Sequence, residues 1–444
     1  MKVADHLLTA WFILAISFNG YAQSQNSRRE EVTLFTDNVF HLSEIMLHDV
    51  ANPPAASRFY AYSILGAYEA MYMGEAKLTN LNNLFKERFQ VIAPSKPKNL
   101  IVSFAAIYAM LEVGRQLMPS GYLLEKEKNK LIKFYTLERG LAPRDLKSNI
   151  SFAQAISKQV VAYARSDDYN KLSTYRRYSP SKKEGRWYAT PPEYMGPIEP
   201  QWKTVRSFLL DSAAQFAPSP PAPFSTDPNS SFVKQMKEVY DYSKQLTDEQ
   251  REIANFWDCN PFAVDYSGHL AIGLKKISPG GHWISIAGIA CRKADLPLDS
   301  AILIHTMVAL TLHDAFISCW QEKYFSDRIR PESAINKYLD PAWRPILQTP
   351  PFPEYTSGHS VASSSSSVIL THFFGDNFSY TDTSEQFFGL PERNFTSFYQ
   401  AAEEAAISRL YGGIHFRDAC EEGVKQGKKV GAFVLNKFLS KQGH

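Results

Sequence analysis

Three short clusters near the C-terminus contain the side chains best suited to chemistry. Their members are Lys323 and Arg330 in the first, Ser357, Gly358 and His359 in the second, and Arg409 and His415 in the third. Basic side chains bind oxyanions, and arginine does so in bidentate fashion. A histidine beside a bound oxyanion can serve as nucleophile, ligand or proton acceptor. The clusters therefore predict a pocket for a tetrahedral oxyanion with a nucleophile or ligand beside it.

The first cluster predicts the end of a helix. Lys323 and Arg330 are seven residues apart, so they share one helical face if the helix continues between them. Pro331 disfavours helical geometry at the residue before it, so we expect this helix to end near Arg330.

The other two clusters predict a helix start and a chain break. Ser357 precedes an apolar run and is a plausible N-cap, while Gly358 permits close approach of backbone to a ligand. Free N–H groups at a helix start attract anions, and His359 would lie at the same place. Gly412 and Gly413 interrupt the chain between Arg409 and His415, which could aim both side chains inward.

Each cluster taken singly has an ordinary explanation, because lone basic residues are usually solvated and Ser-Gly-His is usually a turn. The ordered set is more specific. Lys-x6-Arg-Pro, Ser-Gly-His and Ser-Arg-x5-His resemble the three-part pattern of the type 2 phosphatidic acid phosphatase and vanadium-dependent haloperoxidase superfamily. Thr356 replaces the proline that precedes Ser-Gly-His in that pattern. Trp320 and the Phe-Pro-Glu-Tyr segment starting at Phe352 resemble the haloperoxidase branch.

The resemblance implies a cofactor and a role for each matching residue. Vanadate would be bonded to a ring nitrogen of His415, with no haem and no nucleotide. Its oxygens would be held by Lys323, Arg330, Ser357, the Gly358 backbone N–H and Arg409. His359 would accept the proton of hydrogen peroxide, and Lys323 would polarise the peroxide for attack by a halide. Trp320 and Phe352 are candidates for the halide side of the pocket, and Asp258 for an ion pair with Arg409.

The same residues are compatible with two other functions. Phosphate resembles vanadate in shape, so the same residues could form an exported acid phosphatase in which His415 attacks phosphorus and His359 protonates the leaving group. A non-catalytic oxyanion-binding protein would need the pocket alone. For the haloperoxidase, the expected partners are hydrogen peroxide, a halide (iodide, then bromide) and small organic substrates, and the product is hypohalous acid.

Composition and the N-terminus limit the other partners and the location. The net charge of the 444 residues is +3, without a long basic run, which argues against nucleic acid. Lys2, the apolar stretch 7–18 and the small residues Gly20 and Ala22 predict a signal peptide over residues 1–22. We therefore expect an exported protein, periplasmic or extracellular, without stable membrane insertion. The sequence leaves its oligomeric state open, a homo-oligomer included.

The remaining pattern predicts an all-α fold of helical bundles, with the oxyanion site in the C-terminal bundle. Apolar residues recur at three-to-four spacing in 58–73, 100–117, 122–137, 146–164, 232–256, 301–323, 403–410 and 423–439. The predicted organisation is a disordered segment 23–33, an N-terminal helical half 34–216, a proline-rich connector 217–229 and a catalytic half 230–444. We expect the serine run 363–367 to allow close approach of a neighbouring helix, and the four cysteines to be free, buried thiols.

Overall fold

The structure is a computed structural model that describes residues 28–74, 78–181, 183–191, 194–267, 270–273 and 275–442. Thirteen α helices lie within these ranges, so the predicted all-α fold is confirmed. The helices of the first half are α1 (28–48), α2 (Pro53–Gly74), α3 (Val102–Leu117), α4 (Glu125–Lys133) and α5 (Pro143–Arg165). The predicted signal peptide lies outside the described residues.

The helices of the second half surround the three clusters. They are α6 (Ser231–Gln245), α7 (Asp248–Phe256), α8 (Pro279–Lys293), α9 (Leu298–Ser326), α10 (Pro331–Tyr338), α11 (Gly358–Phe374), α12 (Phe398–Tyr411) and α13 (Arg417–Gln442). Two antiparallel hairpins accompany them, β1 (Val264–Ser267) with β2 (Leu270–Gly273), and β3 (Tyr380–Asp382) with β4 (Arg393–Phe395). The predicted helix 232–256 is two helices, because Thr247 starts α7 with a capping box.

Part of the predicted disordered segment is ordered. Residues 28–33 form the first turns of α1, where Val32 is buried and Arg29 Nε donates to Asp295 Oδ1 at 2.8 Å. Burial of Val32 and this ion pair attach the segment to the protein, so the prediction of disorder is wrong for residues 28–33. Residues 23–27 lie outside the described ranges.

The helices of both halves share one hydrophobic core. It includes Leu65 of α2, Ile107 of α3, Leu312 of α9, Leu370 of α11 and Phe438 of α13. The proline-rich residues 217–229 contain no helix or strand, and their backbone is held against α13, where the Ala222 N–H donates to Asp418 Oδ2 at 3.1 Å. The connector therefore joins two parts of one core.

Helix α9 ends earlier than the sequence indicated. It stops at Ser326, Asp327 adopts a left-handed conformation with φ 50°, and Arg330 is the residue before α10. Pro331 occupies the first turn of α10, a position that proline favours. The prediction that one helix carries Lys323 and Arg330 is therefore wrong. The two side chains converge from the end of α9 and from the segment before α10.

Helix α9 is also long and apolar enough to cross a membrane. In its most apolar stretch of 18 residues, 94% is buried inside the protein, as expected for a helix in the centre of the core. Among the described residues it is the one helix with this property.

Candidate active site

The second and third clusters line one cavity, and Arg330 of the first cluster contacts it through His415, whereas Lys323 and Ser357 lie behind the lining residues. His359 and Gly358 reach it from the first turn of α11, Arg409 from the last turn of α12, and His415 from the short turn between α12 and α13. Gly413, at φ 76°, lies in the left-handed region that glycine tolerates, and the chain turns there between Arg409 and His415. The predicted break at the glycine pair is thus confirmed.

His415 is held at both ring nitrogens. Its Nδ1 lies 2.9 Å from Glu354 Oε1, and its Nε2 lies 3.1 Å from Arg330 Nη1. Burial, with the nearby charges of Arg330 and Lys323, holds the pKa of His415 well below its usual value. The imidazole is therefore neutral, with its Nδ1–H donating to Glu354 Oε1 and a lone pair on Nε2.

Glu354 is a site residue that the sequence reasoning missed. Its Oε1 also accepts the backbone N–H of Phe416 at 2.9 Å, and its Oε2 lies 3.3 Å from Arg328 Nη1. Burial raises the pKa of Glu354 to about 7. The available signal was an acidic residue in the loop that leads into Ser-Gly-His, because a ligand histidine commonly requires an acceptor for its other nitrogen.

Two arginines contribute buried donors without protein partners. Arg330 Nε donates to the Phe352 carbonyl at 2.9 Å, and Arg409 Nη1 donates to the Trp257 carbonyl at 3.0 Å. Yet Arg330 Nη2 and Arg409 Nε and Nη2 have no hydrogen-bond partner among the described residues. Burial lowers the pKa of Arg330 to about 10, so the guanidinium stays charged at neutral pH. Unpaired buried N–H groups of this kind are costly unless an acceptor binds them.

Lys323 lies under the loop that precedes Ser357. Its Nζ donates to the backbone carbonyls of Glu354 at 3.1 Å and Pro353 at 3.2 Å, and also to that of Thr356. Burial lowers the pKa of Lys323 to about 8, so the ammonium form prevails at pH 7. The site thus gathers three positive charges, Lys323, Arg330 and Arg409.

The His359 imidazole lies beside the Arg409 guanidinium. Arg409 Nη1 donates to His359 Nε2 at 2.9 Å. Burial and then the charge of Arg409 hold the pKa of His359 well below its usual value. A neutral imidazole in this position can accept a proton.

Ser357 and Gly358 form the start of α11 as predicted. Ser357 Oγ accepts the Ser360 N–H at 3.2 Å, and this capping role leaves the hydroxyl proton available as a donor. A Cβ atom at Gly358 would lie 3.6 Å from the Trp320 ring, an ordinary contact. The helix N-terminus at this point favours an anion.

An aromatic wall closes the other side of the cavity. The Trp320 and Phe352 rings lie 5.0 Å apart, and Lys323 Nζ lies 5.1 Å from the centre of the Phe352 ring. Trp320 Nε1 donates to the Ile198 carbonyl at 3.2 Å, so the indole presents carbon atoms to the cavity and not its N–H.

Asp258 lines the cavity but does not hydrogen-bond Arg409. Its Oδ2 lies 3.3 Å from Lys276 Nζ instead. The expected ion pair with Arg409 is therefore replaced by one with Lys276, and the Trp257 carbonyl is the group that accepts from Arg409. Asp258 still acts on Arg409 through space, because its charge partly offsets the lowering of the pKa of Arg409 by burial.

The residues present fit vanadate. Three buried cations, unpaired guanidinium N–H groups and the N-terminus of α11 suit the oxygens of a charged tetrahedral anion. The neutral Nε2 of His415 is a suitable ligand atom, with its opposite nitrogen on a carboxylate in the usual manner of a metal-binding histidine.

Comparison with known proteins is consistent with this chemistry. Residues 303–442 match the family described as the VCPO second helical-bundle domain. A bacterial vanadium-dependent iodoperoxidase of known crystal structure has 42% sequence identity to this chain. The two structures align with a TM-score of 0.85 over 92% of this chain and 96% of that one. The chain belongs to the vanadium-dependent haloperoxidase family.

More distant vanadium haloperoxidases share the fold. A bacterial vanadium-dependent chloroperoxidase in its holo form is 16% identical, with a TM-score of 0.66 over 88% of this chain and 93% of that one. Its apo form is 15% identical, with a TM-score of 0.65 over 88% of this chain and 95% of that one. No match was found among curated protein sequences.

Membership in this family decides between the functions that the sequence left open. The protein is a vanadium-dependent haloperoxidase that oxidises halide with hydrogen peroxide, and neither the phosphatase nor the non-catalytic binding protein is favoured. Its cofactor is vanadate.

Proposed function

We propose that the protein oxidises iodide, and bromide more slowly, to hypohalous acid that halogenates small organic substrates. The observation that supports this most is the position of the neutral Nε2 of His415 beside Arg330, in a cavity whose other wall is aromatic. The iodoperoxidase name of the 42% identical protein points to the same halide. For iodide the balance is H2O2 + I− + H+ → HOI + H2O.

We assign a role in the reaction to each residue that matches the superfamily pattern. His415 Nε2 would bind vanadium, and Arg330, Arg409, Ser357 and the Gly358 N–H would hold the vanadate oxygens, while Lys323, whose three N–H donors are taken by backbone carbonyls, would contribute its charge. Bound vanadate supplies a Lewis-acidic vanadium(V) centre that activates hydrogen peroxide without changing oxidation state. His359, neutral and inside the cavity, accepts the peroxide proton. Lys323 and the two arginines offset negative charge, and Glu354 holds the imidazole of His415 in place.

The aromatic wall supports the proposed halide order. Oxidation becomes harder from iodide through bromide to chloride. Phe352 and Trp320 offer apolar ring surface, which desolvates a halide but donates no hydrogen bond to it. Lys323 Nζ and Arg330 Cζ, 5.1 Å and 5.0 Å from the centre of the Phe352 ring, are the positive charges on this side. We therefore expect little or no chloride oxidation at neutral pH.

The test is reconstitution of the purified apoprotein with vanadate. Steady-state rates are measured with iodide, bromide and chloride at matched peroxide, and phosphoester hydrolysis is measured in parallel on the same preparation. We expect vanadate-dependent iodide oxidation, slower bromide oxidation and background hydrolysis. Chloride turnover equal to that of iodide would contradict the proposed order, and hydrolysis without halide oxidation would contradict the assignment as a haloperoxidase.

We also propose that the protein is exported and that it matures by cleavage after Ala22. The support is the sequence pattern of residues 1–22, with Lys2 ahead of an apolar stretch and small residues before the cut. Mass spectrometry of the periplasmic or secreted protein should give an N-terminus at Gln23. A mature protein that retains residues 1–22 would refute this.

A further inference from the structure

A second group of ligand-type side chains lies beside the oxyanion pocket. Cys259 Sγ and Glu385 Oε1 each lie 3.3 Å from His282 Nδ1. The three ligand atoms lie within 4.8 Å of one another, and all three residues are buried. None of them has a role in the proposed halide oxidation.

These separations suit a tetrahedral metal ion. Bonds of about 2.0–2.3 Å to nitrogen, oxygen and sulfur place neighbouring ligand atoms roughly 3.3–3.6 Å apart. The two distances from His282 Nδ1 are at the short end of this range. The third separation, between Cys259 Sγ and the Glu385 carboxylate, is within 4.8 Å.

The second ring nitrogen of His282, Nε2, is hydrogen-bonded to a carboxylate, as it commonly is in metal-binding histidines. His282 Nε2 donates to Asp382 Oδ2 at 2.8 Å. Asp382 Oδ1 in turn accepts from the backbone N–H of Ser384 at 3.0 Å and from its hydroxyl at 2.6 Å. A carboxylate that fixes the far nitrogen leaves Nδ1 aimed at Cys259 and Glu385.

Glu385 is a buried carboxylate whose ion-pair partner among the described residues is the His282 ring. Its side chain is fully buried, and neither carboxylate oxygen has a hydrogen-bond partner among the described residues. Burial raises the pKa of Glu385 to about 7. A buried carboxylate without donors is costly, and coordination to a metal is one of the few ways to satisfy both its charge and its lone pairs.

Two carboxylates surround the His282 ring. Asp382 Oδ2 lies 2.8 Å from Nε2, and Glu385 Oε1 lies 3.3 Å from Nδ1. Carboxylates that favour a proton at Nδ1 also favour a divalent ion there, because metal and proton compete for the same lone pair.

We propose that Cys259, His282 and Glu385 bind a zinc ion, with Asp382 positioning His282. Thiolate, imidazole and carboxylate together are typical zinc ligands, and water would complete the tetrahedron. On binding, the Cys259 thiol and Nδ1 of His282 each lose a proton to solvent, and His282 binds as the neutral imidazole. The bonds formed are Zn–S, Zn–N and Zn–O, and no oxidation or reduction takes place.

The ion would brace one wall of the oxyanion pocket. Cys259 follows Trp257, whose carbonyl accepts from Arg409 and whose indole stacks on His282 with ring centres 4.5 Å apart. Zinc would join three separate segments: the turn after α7, helix α8 and the loop after β3. This cross-link stabilises the position of the Trp257 carbonyl and hence the orientation of Arg409.

The experiment measures zinc in the full-length protein purified from zinc-supplemented medium and dialysed against a weak chelator. We expect one zinc ion per chain in the wild type and in the control Cys291→Ala, which removes a buried thiol of α8 outside the cluster. Cys259→Ser and Glu385→Gln should retain little zinc. Asp382→Asn should bind it about 10–100-fold more weakly. Helix content by circular dichroism identifies any variant that fails to fold.

A measurement on the wild type alone keeps the test independent of the variants. Cobalt(II) replaces zinc after chelation, and its absorption spectrum reports the ligands. A thiolate-to-cobalt charge-transfer band with tetrahedral d–d bands is expected at one equivalent. Wild-type protein that retains no zinc and gives no thiolate band would overturn the proposal. So would zinc binding that is unaffected in folded Cys259→Ser.

Discussion

At the scale of single residues, the imidazole of His415 is oriented by a carboxylate and an arginine before any anion binds. Glu354 Oε1 fixes the proton on Nδ1, and the same oxygen holds the Phe416 backbone. The buried Glu354 therefore fixes both the orientation and the tautomer of the His415 ring. Substitutions of neighbouring residues should then affect vanadate binding and turnover differently.

We predict that Glu354→Gln weakens vanadate binding about 10–100-fold, the range typical of residues that orient a metal ligand. An amide still fits the space but carries no charge to favour the Nδ1 proton. Equilibrium dialysis against vanadate measures the effect, with the exposed Glu403→Gln of α12 as the control. Unchanged affinity in Glu354→Gln would mean that Arg330 alone orients His415.

We predict different defects for the two histidines of the cavity. His415→Ala should abolish tight vanadate binding because it removes the ligand atom. His359→Ala should bind vanadate nearly as the wild type does but lose about 10²–10⁴-fold in turnover, the usual contribution of a general base. His372→Ala, on the exposed last turn of α11, is the matched control. Equal loss of vanadate affinity in both cavity variants would contradict this division.

The sequence could predict the identity of these residues better than their contacts. Lys323, Arg330, Arg409 and His415 are recognisable because their types and spacing form an ordered pattern. The contact of Asp258 with Lys276 and the role of Glu354 depend on how separate loops meet, and spacing along the chain does not encode that geometry.

At the scale of helices, close packing of α11 on α13 fixes the first turn of α11, where His359 and Gly358 lie. Gly423, Gly427 and Gly431 recur every four residues along α13 and face the serine-rich helix. A Cβ atom at Gly427 would lie 2.4 Å from the Val361 carbonyl oxygen. The predicted close approach of a helix to the serine run is thus confirmed, with glycine on the opposing surface.

We predict that Gly427→Ala destabilises the protein by about 1–3 kcal/mol, as overpacking does. Alanine favours a helix over glycine by up to about 1 kcal/mol, but here the backbone of α11 blocks the methyl group. Gly288→Ala in α8 is the control, since its Cβ atom would meet nothing closer than 3.4 Å. Urea denaturation measures both, and equal stability of the two variants would show that α11 and α13 separate easily.

Helix boundaries reveal which local signals are ambiguous. Ser357 could be predicted as an N-cap because a serine directly before an apolar run commonly begins a helix. Pro331 was not decisive, because proline both ends a helix and begins one. The left-handed Asp327 that separates α9 from α10 gives no comparable signal in the sequence.

At the scale of the whole molecule, the shared core buries titratable groups that do not line the active-site cavity. His305 and His313, both in α9, are completely buried among residues of the two halves. Burial lowers the pKa of each to about 4. Periodicity identified α9 as a helix, but it could not predict that all sides of α9 would be covered, because that depends on the neighbours from both halves.

We predict that these histidines make the protein less stable in mild acid. In the unfolded chain their pKa is near 6.5, so between pH 6.5 and 4 the unfolded state binds protons that the folded state does not. The free energy of unfolding therefore falls as the pH drops through this window, by about 3 kcal/mol for each histidine. Buried acids with a raised pKa, such as Asp314 at about 6, act in the opposite direction.

The contribution of one histidine is isolated by comparing variants. His305 Nδ1 donates to the Ala301 carbonyl at 2.7 Å, and a glutamine amide can keep this bond without titrating. Urea unfolding of the wild type and of His305→Gln at pH 7 and pH 4.5 gives the difference in pH dependence. We expect the loss between the two pH values to be smaller in His305→Gln by about 2–3 kcal/mol. The exposed His372→Gln should follow the wild type, and an identical pH dependence in His305→Gln would show that His305 already gains its proton in the folded protein.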